Sequence, residues 1–340
     1  MTNAVRAAGI REVAALAGVA PSSVSRVLSE HPDVSAGMRE RVRNAVAELG
    51  YQPNFLAQSL RRRTSFGVGL IVNAAGALFT DLVTGAELEL RQAGYTLLLA
   101  NDGGAPSADV ELLRMMAHRR LDGVLLSLAD ERPEQMQRLL TELDLPVVLL
   151  DRDLDASVPV GRVLVDHAAG VSAGVGDLLD RGHRRLGLIG GPPLRPQRER
   201  WRGIVEAHEA RGLKVTCDVE TGPWSVEAAE EATRRLLARR RPPEALIAAS
   251  AVSLVGVLQE LRRSGLTVGQ DVCVLSLYDS PLTQLSTPAI SVVRHETARQ
   301  GREAARMLID MINGAQPSTV VLPTEFVKRD SCPCARRQAT

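Results

Sequence analysis

The sequence predicts an α/β protein with three parts: an N-terminal three-helix helix-turn-helix head, a short hinge helix, and a two-lobed core of doubly wound parallel sheet. Three observations carry this. Residues 1–50 show helical periodicity punctuated by a glycine turn. A basic stretch too short to fold alone follows and closes on Arg61-Arg62-Arg63. From Phe66 onward, continuous apolar runs alternate with helical ones, the pattern of parallel strands covered on both faces. The expected boundaries are head 1–50, hinge and linker 51–65, core 66–331 and tail 332–340.

In the head, Ile10, Val13, Ala14 and Ala17 recur at helical spacing, and Gly18 stands where a left-handed C-terminal residue ends a helix. Pro21 opens a second helix, its fixed φ and missing N–H suiting the first position, with Val24, Val27 and Leu28 facing inward. Ser35 is placed to cap a third helix that runs through Val42, Val46 and Leu49 to Gly50. Pro53-Asn54 then breaks the chain, and Phe55 to Leu60 form about one and a half helical turns, too few to persist without a partner.

In the core, strands are expected near 68–72, 95–100, 124–128, 147–150, 163–165, 186–189, 246–249 and 272–277. Helices are expected near 81–92, 110–119, 133–143, 168–180, 200–210, 226–239 and 252–264, and a late one over 294–313 packs back on the first lobe. These strands are too many for one small sheet. Two lobes follow, one over 66–163 plus 294–325 and one over 164–293 plus 326–331, with a ligand cleft at the carboxyl ends of their strands.

Composition narrows the function. Hydrophobic residues make up 45% and charged residues 24%, as in a soluble globular chain. No apolar run approaches the ~18 residues of a membrane span, and residues 1–10 carry no secretory signal pattern, so a cytoplasmic protein is expected. The net charge of +1 hides an asymmetry: in residues 1–63 nine arginines face five acids, leaving a mildly acidic body behind a basic head. Cys217 and Cys273 are expected to stay reduced, and Cys332-Pro333-Cys334 reads as an inert tail, because two thiols without a nearby His make half a zinc site at best. No G-x-G-x-x-G follows a strand, the six histidines show no metal-ligand spacing, and no nucleophile elbow occurs. An enzyme on this fold is therefore disfavoured, and no cofactor or metal is expected. A solute receptor without DNA function is disfavoured by the intact head.

The run Ile10-Arg11-Glu12-Val13-Ala14-Ala15-Leu16-Ala17-Gly18-Val19, then Ser23-Val24-Ser25-Arg26-Val27-Leu28, resembles the head of the lac-repressor-type (lac/galactose/purine repressor) regulators. So do His31-Pro32-Asp33-Val34-Ser35 and Glu48-Leu49-Gly50-Tyr51-Gln52-Pro53-Asn54. Downstream, the resemblance continues in Arg181-Gly182-His183, Ile189-Gly190-Gly191-Pro192 and Arg329-Asp330-Ser331. It implies a periplasmic-binding-protein-like core, a homodimer and a pseudo-palindromic operator, hence a DNA-binding repressor whose operator affinity is set by a small-molecule effector between the lobes. By position it implies that Pro21, Ser22 and Arg26 meet base edges and that Ser23 and Ser25 meet phosphates. Tyr51, Asn54, Ala57 and Leu60 complete the DNA-binding set, Leu60 as an apolar wedge in the minor groove. Ala20 replaces the usual serine, which removes one helix cap. The bland alternatives are a solvated Arg26 and a Leu60 packed on the core.

The same resemblance places Asp151, Arg200, Trp224, Ser250 and Tyr278 at effector positions. They supply an acceptor, a forked donor and a stacking face. The family's Asn-Asp is replaced by Ser250-Ala251, its first acid near 280 by Tyr278, and the stretch 73–77 is apolar, so an ordinary sugar is not the expected effector. The alternatives are an interlobe ion pair between Asp151 and Arg200, and core packing for Trp224. A nine-residue tail without heptads implies a dimer rather than a tetramer. Limited proteolysis is expected to cut within residues 52–64 and to leave a folded fragment beginning near Phe66. Mass spectrometry of the products checks this; a first cut inside the core would contradict it.

Overall fold

The structure, a computed structural model, describes residues 9–28, 31, 33–51, 64–72, 78–131, 134–154 and 159–333. The chain divides into two compact units, one ending at Ser65 and the other beginning at Phe66. Among the described residues no helix is long and apolar enough to cross a membrane.

The head contains α1 (Ile10–Ala17), α2 (Pro21–Leu28) and α3 (Ala36–Leu49). Its core is Val13, Ala14, Ala17, Val24, Val27, Val42 and Ala45, the inward positions of three amphipathic helices. Gly18 has φ +62 and ends α1 in the left-handed region, where a side chain would be strained. Ser35 caps α3, its hydroxyl accepting from the Met38 N–H at 3.4 Å. Ala20 offers α2 no side-chain acceptor, and only its carbonyl takes the Ser23 N–H, at 2.9 Å.

The core has two lobes. The first comprises β1 (Gly67–Val72), α4 (Leu78–Gln92), β2 (Thr96–Asn101), α5 (Pro106–His118), β3 (Gly123–Leu126), α6 (Glu134–Glu142), β4 (Val147–Leu150) and β5 (Gly161–Val165). The second comprises α7 (His167–Asp180), β6 (Leu186–Gly190), α8 (Arg195–Glu209), β7 (Cys217–Thr221), α9 (Val226–Leu237), β8 (Ala245–Ala248), α10 (Ala251–Arg263), β9 (Cys273–Ser276), α11 (Pro281–Leu285) and β10 (Ser291–Arg294). The chain then returns through α12 (Thr297–Ile312) and β11 (Thr319–Leu322) to the first lobe and ends at β12 (Glu325–Val327) in the second. Among the described residues the sheet orders are β11-β5-β4-β3-β1-β2 and β12-β10-β9-β8-β6-β7. Each order reverses beside the lobe's first strand, β1 or β6, and at such switch points the loops after neighbouring strands diverge and leave a crevice.

Several differences from the sequence reading have physical causes. β7, β11 and β12 are edge strands with half-exposed, mixed residues, so they lack the continuous apolar signal of central strands. β12 pairs antiparallel with β10, so the second sheet is mixed rather than wholly parallel. α8 opens at Arg195 and α5 at Pro106, earlier than periodicity marks, because each has Pro in its first turn. The tail begins later than expected: Cys332 is buried, its carbonyl accepts from Arg181 Nη1 at 2.6 Å, and the Pro333 carbonyl lies 2.8 Å from His183 Nε2. Two motifs 150 residues apart thus close on each other and tie the chain end into the second lobe.

α12 packs along α4 at very short range. A Cβ on Gly85 would lie 2.0 Å from the Ala298 carbonyl oxygen, and one on Gly301 would lie 2.1 Å from that of Leu82. Glycine is required at both positions because backbone, not a yielding side chain, fills the space.

Beneath the first sheet's carboxyl edge lies a carboxyl pair. Asp102 accepts the Gly104 N–H at 2.6 Å and Asp109 accepts the Ala129 N–H at 2.8 Å. Asp102 Oδ2 and Asp109 Oδ1 are sealed from solvent and have no hydrogen-bond partner among the described residues. Burial, and then Asp102, push the Asp109 carboxyl up to about 7. An acid whose folded value is raised gives stability that is fully present below its unfolded value of ~4 and is lost as pH rises through about 7. Asp109→Asn is therefore expected to flatten the fall in melting temperature between pH 5 and 8. An unchanged slope in differential scanning calorimetry would refute the assignment.

Candidate functional site

The head presents one polar face. On α2, Val24 and Val27 point into the head core while Pro21, Ser22 and Arg26 are exposed and Ser23 and Ser25 half-buried. A helix of eight residues with two valines inward necessarily turns the intervening polar residues outward. The predicted base-reading trio is thus on one exposed surface. Tyr51 packs partly against the head core. Asn54, Ala57 and Leu60 lie outside the described residues.

In the core, Asp151 ends β4 with φ +53, a left-handed conformation that Asp tolerates better than most residues. The turn aims its carboxylate across the cleft. Oδ1 accepts from Arg195 Nη1 at 2.8 Å and from the Val165 N–H at 3.2 Å. Oδ2 lies 2.7 Å from His167 Nε2. Burial pushes this carboxyl up, but His167, Arg152 and Arg195 together outweigh it and hold it well below the usual carboxylate range. Burial also lowers His167, so its ring is neutral and donates from Nε2, since a carboxylate only accepts. Asp151 does make an interlobe ion pair, but with Arg195 and not with Arg200. With both oxygens engaged, it acts as a positioning residue.

A second carboxylate, not singled out from the sequence, does more. Glu131, in the loop after β3, is buried and accepts from the Arg195 N–H at 3.1 and 2.9 Å, from the Asp153 N–H at 3.0 Å and from Arg198 Nη1 at 2.7 Å. α8 begins at Leu194, which has no side-chain cap. Glu131 supplies that cap from the other lobe, placing negative charge at the positive end of the helix.

Arg200, one turn further along α8, is 7% exposed. Its Nε and Nη1 are sealed from solvent without an acceptor among the described residues, and Oε1 of Gln197 is sealed without a donor. Burial pulls the guanidinium down to about 10, which still leaves it charged at neutral pH. Trp224 lies against Gly191, where a Cβ would sit 2.0 Å from the indole ring, and Gln197 lies against Gly190 in the same way. The paired glycines at the end of β6, Gly190 and Gly191, thus let an aromatic face and α8 approach the strand end. Trp224 is half-buried and also packs on the second lobe's core, so both of its expected roles draw on one position.

Ser250 caps α10, its hydroxyl accepting the Ser253 N–H at 3.0 Å, and this use is structural. Tyr278 is nearly buried and lines a cavity of about 870 Å³ that runs between the lobes along Asp81, His295, Thr297 and Thr324. Asp151, Arg200, Trp224 and Ser250 do not line that cavity. Asp279 beside it is consumed by a bidentate pair with Arg329 at 2.9 and 2.8 Å. Burial, then the neighbouring His167, lower His295 to about 4, so it too is neutral; its ring meets that of His167 edge-on at 6.0 Å.

Glu131, Arg195, Arg198, His167 and His295 were invisible to sequence reasoning because each matters only through a partner on another element. The Pro196 helix start and the uncapped Leu194 were the available hints that an acid must come from elsewhere. Glu131→Ala removes the acceptor of a buried network and is expected to destabilise the core by about 3–5 kcal/mol. Arg198→Ala, which takes away the network's exposed cation, is expected to cost under about 1 kcal/mol. Urea denaturation of both variants checks the contrast; equal losses would mean that Glu131 acts only through Arg198.

Comparison with known proteins adds family and fold. Residues 9–54 match the model of bacterial regulatory proteins of the lacI family, and residues 175–332 match a periplasmic binding protein-like domain. The HTH-type transcriptional regulator CelR of Thermobifida fusca is 34% identical over 332 residues, covering 94% of this chain and 96% of that one. A solved structure of a transcriptional regulator CelR–cellobiose complex superposes with a TM-score of 0.72 at 32% identity, covering 95% of this chain and 99% of that one. The lac repressor dimer bound to operator and the anti-inducer ONPF shares the fold, with a TM-score of 0.84 at 23% identity over 96% of this chain and all of that one, 100%.

Proposed function

The chain belongs to the lacI family of bacterial regulatory proteins and is a DNA-binding transcriptional regulator, and from that premise we propose that it is a homodimeric repressor whose affinity for a pseudo-palindromic operator is set by a small molecule held between the core lobes. The observation that carries the reading is the exposed face of α2, where Pro21, Ser22 and Arg26 lie on the solvent side, away from the helix's buried valines. Such a helix enters the major groove, where all four base pairs differ in their donors and acceptors. Arg26 is the most informative reader, because its fork matches the two acceptors of guanine. Ser23 and Ser25 flank it as phosphate partners, which set register without reading sequence.

The head's surplus of positive charge supplies the non-specific attraction to DNA. Tyr51, Asn54, Ala57 and Leu60 extend the contact toward the minor groove, Leu60 as the wedge. The regulator acts in the cytoplasm, and no catalytic step is assigned to it. On the ligand side, Trp224 and Gln197 meet the glycines at the end of β6, Arg200 is buried one turn further along α8, and Tyr278 lines a cavity of its own. The CelR relative, crystallised with cellobiose, supports a small-molecule effector in a core of this kind. Glu131 and Asp151 already bridge the lobes by themselves. A ligand therefore changes the balance of an existing closure, and operator affinity is coupled to it as a second site.

The test is operator binding by the full-length chain in a mobility-shift titration. Arg26→Ala is expected to cost about 1–3 kcal/mol on the cognate operator and to relax discrimination at one base pair of each half-site. Arg61→Ala should weaken binding alike on all sequences and reduce the salt slope. The same uniform loss from both would remove Arg26 from the base edge.

A further inference from the structure

Cys273 and Cys332 are far apart in sequence, but folding brings them together. Cys273 opens β9, Cys332 lies beyond β12, and both are buried in the second lobe. Their thiols hydrogen-bond each other. The surrounding contacts fix both sulfurs. Cys332 Sγ donates at 3.3 Å to the carbonyl of Val274, the residue after Cys273, and the Ser331 hydroxyl donates to the same carbonyl at 2.7 Å. On the other side, His183 Nε2 lies 2.8 Å from the Pro333 carbonyl and 3.3 Å from Cys273 Sγ. A carbonyl only accepts, so Nε2 carries a hydrogen, the Cys273 sulfur is its second acceptor, and the Cys273 S–H is left to donate to Cys332. That bond lowers the Cys332 thiol, whereas the same bond, and then burial, raise that of Cys273. Arg181, whose Nη1 holds the Cys332 carbonyl at 2.6 Å, favours a thiolate at either sulfur. The two thiols are therefore unequal: Cys332 ionises first and Cys273 stands beside it with its proton. Among the described residues no group of three ligating side chains could hold a metal ion.

We propose that Cys273 and Cys332 form a thiol oxidation site, at which a peroxide joins them in a disulfide. The Cys332 thiolate attacks one oxygen of hydrogen peroxide and becomes a sulfenic acid; the hydroxide released takes up the thiol's proton as water. The Cys273 sulfur then displaces the sulfenic oxygen, which leaves as a second water with the Cys273 proton. Two thiols lose two electrons and two protons, and one peroxide becomes two waters. Sealed thiols meet an oxidant only when the strap over residues 329–333 opens locally, so that opening sets the pace. None of those residues lies in a strand. They are fastened by separate contacts: Arg329 on Asp279, Arg181 on Cys332 and His183 on Pro333. In a reducing compartment the pair stays as thiols, and the site responds when peroxide rises. The bond matters because of what lies between its ends. The chain from Cys273 to Cys332 leaves the second lobe after β10, builds α12 and β11 of the first and returns at β12. A disulfide here closes a long loop through both lobes, which restrains the unfolded chain strongly without adding a bond across the cleft. The inference concerns the second lobe and is independent of the effector reading.

The experiment is titration of the full-length protein with hydrogen peroxide, quenched with N-ethylmaleimide and mapped by non-reducing peptide mass spectrometry, with the melting midpoint read in parallel. Cys334→Ser is the parent chain, so that this third thiol cannot take the place of either partner. The expected product is a peptide pair joined between Cys273 and Cys332, two hydrogens lighter, with a midpoint raised by several degrees. Dithiothreitol should reverse both. Cys217, whose thiol is pushed up to about 12 by burial and then by Asp218, should stay unjoined. Cys273→Ser and Cys332→Ser, each made in the parent, should abolish the cross-link and the peroxide-induced rise, and either one that folds decides the matter. The proposal is overturned if the pair is absent at a peroxide concentration that already oxidises the exposed Met115. It is overturned equally by a cross-link that leaves the midpoint unchanged or lower, by a rise that survives in a folded serine variant, or by Cys332 passing to sulfinic acid instead of a disulfide.

Discussion

Two carboxylates of the first lobe, Glu131 and Asp151, grip the amino end of one helix of the second, α8. Much else in the core follows from this grip. Glu131 stands in for the cap that Leu194 lacks, so the helix is complete only when the lobes are together. Asp151 reaches Arg195 because β4 ends in a left-handed turn, which directs the carboxylate across the cleft instead of along the strand. His167, the first residue of the second lobe's leading helix, fastens the same carboxylate from a third direction. The lobes are thus joined by charge-assisted hydrogen bonds that are largely buried, where their geometry counts for more than their number.

The same arrangement leaves Arg200 without a direct hydrogen-bonding acid at two of its nitrogens among the described residues. Acids within reach of the cleft are drawn to Arg195, Arg198 and Arg329, each of which meets its carboxylate in close geometry. Arg200 follows on the same helix, buried, with Asp151 and Arg152 as its charged neighbours and with Nε and Nη1 unpartnered among the described residues. Unsatisfied polar groups of this kind are tolerated where a function employs them and are otherwise rare.

Movement has an evident origin in the same place. The lobes are joined by crossing segments after β5, around His295 and around Pro323, and the first lobe is completed only by the returning α12. The backbone contact of α12 with α4 at Gly85 and Gly301 makes that return rigid. At the other end, Arg329, Ser331 and Cys332 are pinned on the second lobe, with Ser331 Oγ donating to the Val274 carbonyl at 2.7 Å. Each lobe is therefore tied internally by close contacts, and the crossings are the segments that join one lobe to the other.

The sequence by itself determined the elements and their grouping. Apolar periodicity marked most strands and helices, Gly18 and Ser35 marked helix ends in the head, and the outward face of α2 followed from the inward Val24 and Val27. These are local facts, set by side-chain spacing and backbone preference within a few residues. Edge strands such as β7 and β12 escaped because half-exposed strands carry no continuous apolar run. Only the tertiary structure decided which charges meet. Asp151 was legible as a cleft acid, but its partner is Arg195 and not Arg200, a difference of five residues on one helix that no spacing rule distinguishes. Glu131 acts on a helix 64 residues away and looks in the sequence like any loop acid. Pairing between charges depends on where two lobes place them in space, and that is settled by the packing of the sheets and crossings, not by the neighbours of either residue along the chain.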